Sequence, residues 1–271
     1  MRFFVGAISA LFAASCYAGT TGAVSLDNAY HQMYNLQFAD AHETLRQWRT
    51  AHPEDALGPV SDAAAYLFSE FDRLHILQSE LFTDDDHFRH RTKTVSDPAA
   101  RQAFENDLTE GERLAATALA KNPQDDNATF AKVLECGLRA DYLALIEKRS
   151  VASLGFTKTG RALAEQLLSR NPNYYDAYLA VGVENYLLGI NAAPVRWVLH
   201  LAGAETDKAE GIAKLRLTAQ KGHLLMPFAR LMLAVAALRD KDRGTAKQLL
   251  AGLVQEFPQN SLYARELARL N

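Results

Sequence analysis

Segments 26–36 and 38–50 each carry apolar residues at three- and four-residue spacing, with Gln37 alone between them, and so predict a tight helical hairpin. Ala29 and Ala41 lie twelve positions apart in it, and small residues at such places let two antiparallel helices approach closely. His52-Pro53 then stops the second helix, because Pro lacks an amide hydrogen and its ring clashes with the preceding turn.

The same punctuation returns as Asn122-Pro123, Asn171-Pro172 and Phe257-Pro258. A small residue stands twelve positions before each Pro: Ala41, Gly111, Gly160 and Ala246. A further second-helix pattern over 208–223 keeps the phase without a Pro, with Gly211 twelve positions before His223. Counting on from each Pro places the matching first-helix positions near Ala29, Ala63, Val133, Gly182 and Ala234, of which Val133 is the poorest fit. Separations from first-helix to second-helix position are 12, 48, 27, 29 and 12, so the middle three hairpins carry 36, 15 and 17 extra residues.

All three insertions enter between the helices of a pair and should emerge on one side of a stack. The first contains the polar run "LFTDDDHFRHRTKTVSDP", with 71–81 prolonging the helix before it and 99–108 beginning the helix after it. The second covers 144–158. The third, 190–207, places Val195, Trp197, Val198 and Leu201 on a helix opened by Pro194. Segment 261–270 reads as a terminal capping helix with Arg265, Glu266 and Arg269 as its polar face.

This pattern resembles the tetratricopeptide repeat, a 34-residue helix-turn-helix unit with small residues in each helix and Pro near its end. The resemblance implies an all-α, right-handed superhelix of about five degenerate hairpins, with insertions in the middle three and a C-terminal capping helix. It also implies that the first helices line a concave groove. Groove positions transferred by the count include Ala64, Leu67 and Phe68; Phe130, Leu134 and Leu138; Val183, Tyr186 and Leu187; and Val235 and Leu238.

The helix over 177–188 has only Glu184 and Asn185 as strongly polar members. That over 128–146 is apolar apart from Lys132, Glu135, Arg139 and Asp141, so both should be covered on two faces. An open groove of this character marks a binding site. Two outcomes follow: the insertions, with Trp197, plug it, or it stays available to an apolar peptide or lipid-like ligand. Candidate contacts for a partner or ligand are Phe130, Leu134, Tyr174, Tyr175, Glu184, Tyr186 and Trp197. Arg196 or Lys214 is the expected structural partner of Glu184.

Segment 182–222 also resembles the tetratricopeptide repeat domain 39 and inclusion-body clearance family and its bacterial relatives. The likeness rests on the apolar first helix, the "P-x-x-W-V-L-x-L-A-G" run from Pro194 to Gly203 and the "D-K-x-x-G-I-x-x-L" run from Asp207 to Leu215. It implies a scaffold associated with membranes or assemblies, with no catalytic residues to carry over.

Composition adds compartment and exclusions. Arg2, the apolar run 3–14 and Cys16-Tyr17-Ala18 read as a signal peptide cleaved after Ala18, leaving 19–271 as the repeat domain. The alternative is lipidation of Cys16, whose preceding Ala13 stands where a lipobox usually has Leu or Val. The expected location is therefore periplasmic or secreted in a bacterium, with an outer-membrane lipoprotein as alternative, and no transmembrane span is expected in the mature chain. Once Cys16 leaves, Cys136 has no partner for a disulfide. A net charge of -3 speaks against nucleic acid, and 48% apolar residues suffice for a sizeable core.

Three motifs are weighed and set aside. The Asp84, Asp85, Asp86, His87 and His90 cluster matches no metal-ligand spacing and reads as a solvated loop. "HETLR", from His42 to Arg46, has Arg where a zinc protease helix has its second His. "GFTKTGRA", from Gly155 to Ala162, has Arg161 and Ala162 where a phosphate loop has Lys and a hydroxyl residue. No nucleophile elbow is present, so the expectation is a non-enzymatic scaffold without cofactor or metal that binds a protein partner. The alternative is a module for a small apolar or lipid-like ligand.

Overall fold

The computed structural model describes residues 24–76, 95–189 and 207–271. Among these, all regular structure is helical: α1 (Leu26–Tyr34), α2 (Phe38–Ala51), α3 (Leu57–Arg73), α4 (Pro98–Lys121), α5 (Asp126–Asp141), α6 (Ser150–Arg170), α7 (Tyr178–Gly189), α8 (Lys208–Lys221), α9 (Met226–Arg239), α10 (Arg243–Glu256) and α11 (Ser261–Ala268). The proposed signal peptide, the 84–90 cluster, Arg196 and Trp197 lie outside the described residues, as does the helix expected after Pro194.

Short polar side chains start many of these helices. Ser25, Asp97, Asp125, Asp207, Asp242 and Asn260 each accept from backbone amides of the first turn, satisfying donors that have no intrahelical partner. The ends follow the Pro punctuation. His52, Asn122, Asn171 and Phe257 each precede a Pro, leave the helical region, and still donate their amide to the carbonyl four residues back at 2.8 Å. Gly222 makes the same 2.8 Å bond to the Thr218 carbonyl, so the Pro-less site expected from the phase ends its helix the same way.

Every helix packs against its neighbours in sequence, and α3 also packs on both α1 and α5. The small residues sit where chains come closest. Ala29, Ala41 and Ala246 have no exposed surface, and a Cβ added to Gly160 would stand 3.0 Å from the Cys136 Cβ.

The second insertion is mostly helix rather than loop. A π-helical turn, Tyr142–Ile146, prolongs α5, three residues follow with Lys148 in the left-handed region at φ 57°, and α6 begins at Ser150. Tyr142 anchors that turn: its ring stacks on Phe104 at 5.2 Å, and its hydroxyl is 2.9 Å from that of Ser96. In the first insertion, α4 starts at Pro98 as expected, whereas α3 stops at Arg73, early in the segment expected to prolong it. The reason is local, since His75 takes φ 55° and the Ile76 amide turns back to the Phe71 carbonyl at 2.9 Å. Glu266, expected on the polar face of the last helix, is instead buried, and it accepts from Arg269 at 2.9 Å.

The first described helix meets the C-terminal part of the fold. The Tyr34 ring lies 5.4 Å from that of Phe257, and its hydroxyl donates to the Leu224 carbonyl at 3.0 Å. Asn260 donates its side-chain amide to the Tyr34 carbonyl at 2.8 Å while its oxygen caps α11, and Asn35 accepts from the Gln259 amide at 3.2 Å. The end of the first helix thus closes on the C-terminal hairpins, through contacts between residues about 190 to 226 positions apart in sequence.

Candidate functional site

Residues of α1, α3, α5, α7 and α9 face a common hollow. A cavity of about 320 Å³ is lined by Tyr30 from α1; Ala64, Phe68 and Phe71 from α3; Val133, Leu134, Gly137, Leu138 and Asp141 from α5; Leu179, Ala180 and Val183 from α7; and Phe228, Met232, Val235 and Leu238 from α9. The first turns of α6 add Ser153, Leu154, Phe156, Thr157 and Gly160. Phe68 of α3 and Phe228 of α9 meet edge to face at 5.8 Å, bridging helices far apart in the chain.

Of the groove positions transferred from the repeat count, Ala64, Phe68, Leu134, Leu138, Val183, Val235 and Leu238 line the cavity. Leu67, Phe130 and Tyr186 instead point into the packing between helices and are 1% exposed. Phe130 packs on Tyr174 at 4.8 Å, and Tyr186 joins Leu215 and Ala229 in a separate cluster. Tyr174 is held by a hydrogen bond to Asn127 at 3.1 Å, and Tyr175 carries the Lys221 ammonium 5.0 Å from its ring centre. The predicted contacts are therefore not one constellation, and among those described only Leu134 reaches the cavity. The side chains of Glu184 and Leu187 lie outside the described set; Lys214, an expected partner of Glu184, lies 3.8 Å from Glu210 and over the Tyr178 ring at 5.4 Å.

Among the described residues three carboxyl groups border the hollow, and two are already engaged. Asp176 accepts from the amides of His223, Leu224 and Leu225 at 2.9–3.2 Å. Glu266 is paired with Arg269. Asp141 differs: it is the last residue of α5 before the π turn, lies at core depth, and keeps accessible surface where it faces the cavity. Among the described residues no group donates a hydrogen bond to its carboxylate. Burial alone pushes its pKa from 3.8 up to about 7.

Asp141 was legible in part. Lys132, Glu135 and Arg139 follow one another around the outer face of α5, where Arg139 reaches Glu135 and Glu105 at 2.9 and 3.0 Å. Asp141 stands three, four and seven residues from Leu138, Gly137 and Leu134, which is the spacing of the opposite, apolar face. A charged residue in that register was the available signal.

A second ionisable group cluster ties α2, α3 and α4 together. Arg49 donates to Asp62 at 3.0 Å and to Asp107 at 2.8 Å, while His42 lies 2.5 Å from Asp62 and 4.1 Å from the Tyr66 ring. Burial, with the neighbouring Asp62 charge second, raises Asp107 to about 6. No cavity residue belongs to this cluster, and its connections span three helices, so it reads as a cross-brace. His42 and Arg46, from the motif resembling a zinc protease, both point into local pairs: His42 to Asp62 and Arg46 to Glu43 at 2.6 Å. "GFTKTGRA" lies within α6, so its amides are spent on helical bonds and offer no phosphate cradle.

Among the described residues no group of three or more His, Cys, Asp or Glu is arranged to hold a metal. No described helix is long and apolar enough to cross a membrane. Cys136 is buried, and its thiol is pushed up to about 11 by that burial, with Glu135 adding to it. No protein-family model matches the chain, and a search of curated proteins finds no match.

Proposed function

We propose that this chain is an exported, tetratricopeptide-like helical-repeat protein of about five hairpins that binds a small apolar or lipid-like molecule in its central cavity, without catalysing a reaction. The observation that carries the reading is the convergence of α1, α3, α5, α7 and α9 on one apolar hollow of about 320 Å³. A peptide groove needs an open concave face, whereas the contacts of Tyr34 with Phe257 and Leu224 join the first helix to the last turns. Cavities of this size and lining are those in which small ligands bury most of their surface.

Gly137 makes the reading testable. It lines the cavity, and a Cβ placed there would meet nothing within 4 Å. Gly137→Leu would extend a side chain into the hollow while raising helix propensity by about 1 kcal/mol. The expected result is one-to-one binding of a neutral fluorescent probe such as N-phenyl-1-naphthylamine, weakened at least about tenfold in a Gly137→Leu variant with an unchanged or raised unfolding midpoint. Equal probe binding by both proteins would overturn the assignment.

A protein partner is the second reading, favoured by Val151, which is 85% exposed beside the cavity-lining turn of Leu154.

A further inference from the structure

An apolar hollow selects poorly among apolar molecules, so its polar groups decide which ligand it prefers. Asp141 is a carboxyl on the cavity wall without a hydrogen-bond donor among the described residues. One turn earlier on the same face, Gly137 leaves open space in front of the helix. Leu134 and Leu138 of the same helix line the cavity with it, as do Phe68 on α3 and Phe228 on α9. A carboxylate in such surroundings is costly unless a positive group is brought to it, and the cavity leaves room for a ligand to bring one.

We propose that the cavity takes a cationic amphiphile, its apolar body lying over Gly137 against Leu134 and Phe68 and its ammonium head paired with the Asp141 carboxylate. This rests on the cavity being a ligand site and adds the chemical class of the ligand. An anionic lipid or fatty acid would place like charge beside Asp141, and a neutral alcohol would leave the carboxylate without a counter-charge.

Lys132 of α5, Lys148 beyond the π turn and Lys158 of α6 are not among the cavity-lining residues, and other charged groups on the elements around Asp141 have partners of their own. On α5 itself Arg139 holds Glu135 and Glu105. Beyond the π turn Glu147 binds Arg101 and Arg149, and on α6 Arg161 binds Glu165 and Asn185. On α3 Glu70 holds Arg73, and on α9 Arg230 holds Glu256. Across the cavity Asp176 is bound by backbone amides and Glu266 by Arg269. The ammonium therefore meets Asp141 as its counter-charge among the described residues, and ionisation of that carboxyl governs its binding. A carboxyl raised to about 7 is mostly ionised at pH 8 and mostly neutral at pH 5.

The experiment displaces N-phenyl-1-naphthylamine from the full chain with dodecyltrimethylammonium, dodecanol or dodecanoate, each below its micelle concentration. The quaternary ammonium keeps its charge at every pH, so any pH dependence of its binding belongs to the protein. The expected result at pH 8 is a preference of about 30-fold or more for the cation over the alcohol, falling toward equality at pH 5. Asp141→Asn should abolish the preference while still binding the neutral probe, which shows that the variant is folded and its cavity intact. Equal affinity for cation and alcohol in the wild type, or a preference that survives in Asp141→Asn, would overturn the cationic assignment and leave the apolar site standing. Failure of the neutral probe itself to bind would remove both.

Discussion

The Cα of Gly211 faces the backbone of Tyr186 so closely that a methyl group there would lie 2.5 Å from the Tyr186 amide nitrogen and 2.9 Å from the Gly182 carbonyl oxygen. Helices α7 and α8 meet here backbone to backbone, and no side-chain rearrangement can make room. Gly211→Ala should lower stability by roughly 1–3 kcal/mol in urea unfolding, because the helices must separate. Gly111 is the contrasting case, since its added methyl would strike the Val60 side chain at 2.4 Å. Combining Gly111→Ala with Val60→Ala should recover about 1 kcal/mol as coupling in a double-mutant cycle, whereas strict additivity would contradict this account of the packing.

Asp176 stitches the turn before α7 to the turn before α9 by accepting three successive amides, and its Oδ1 would lie 2.8 Å from a Cβ on Gly222. Asp176→Ala should cost about 2–4 kcal/mol, as it leaves buried donors without an acceptor. Asp176→Asn, which keeps one oxygen, should fall between the two in thermal unfolding. An alanine variant with an unchanged midpoint would show that water replaces the carboxylate there.

Closure of the first helix on the C-terminal hairpins predicts communication between them. In an open array each hairpin depends only on its neighbours. Here, removing residues 257–271 takes Phe257 from the Tyr34 and His31 rings and Asn260 from the Tyr34 carbonyl. Amide exchange at Tyr30 and Met33 should accelerate at least about tenfold in the truncated chain, measured by hydrogen exchange. Unchanged protection of α1 would refute the closure.

The raised carboxyls predict greater stability in mild acid. Asp141 and Asp107 move from 3.8 to about 7 and about 6 on folding, so between about pH 4 and 7 the native state holds more protons than the unfolded chain. Stability therefore falls as pH rises through that window. Glu70 and Asp126, held below their ordinary values with help from Arg73 and Arg170, act in the opposite sense but at lower pH. Asp141→Asn should remove about 2 kcal/mol of the difference between pH 5 and pH 8, measured by urea unfolding at both. A pH profile identical to that of the wild type would show that Asp141 is solvated.

Much of the local architecture could be read from residue order because its causes are local. Pro53, Pro123, Pro172 and Pro258 end helices through their own rings, and Asp97, Asp125 and Asp207 start them through their own oxygens. The twelve-residue phase located Ala41, Gly160 and Gly211 because close approach needs a small residue whatever lies opposite. Phe130 and Tyr186 were misplaced for a related reason. Counting gives the helix face to within a residue, and one residue turns a side chain by about 100° from the cavity into the seam between helices.

The amino-acid sequence by itself determined an all-helical chain, the ends of most helices, and the inward apolar faces of α3, α5, α7 and α9. The tertiary structure is what brings Tyr34, at the end of the first helix, against Phe257, ahead of the last, because that contact joins residues more than two hundred positions apart. That contact helps turn an apolar face into a partly open cavity. It also makes Asp141, one of five charged residues on α5, a carboxyl with low-dielectric surroundings and space before it, because desolvation depends on every wall of the cavity at once.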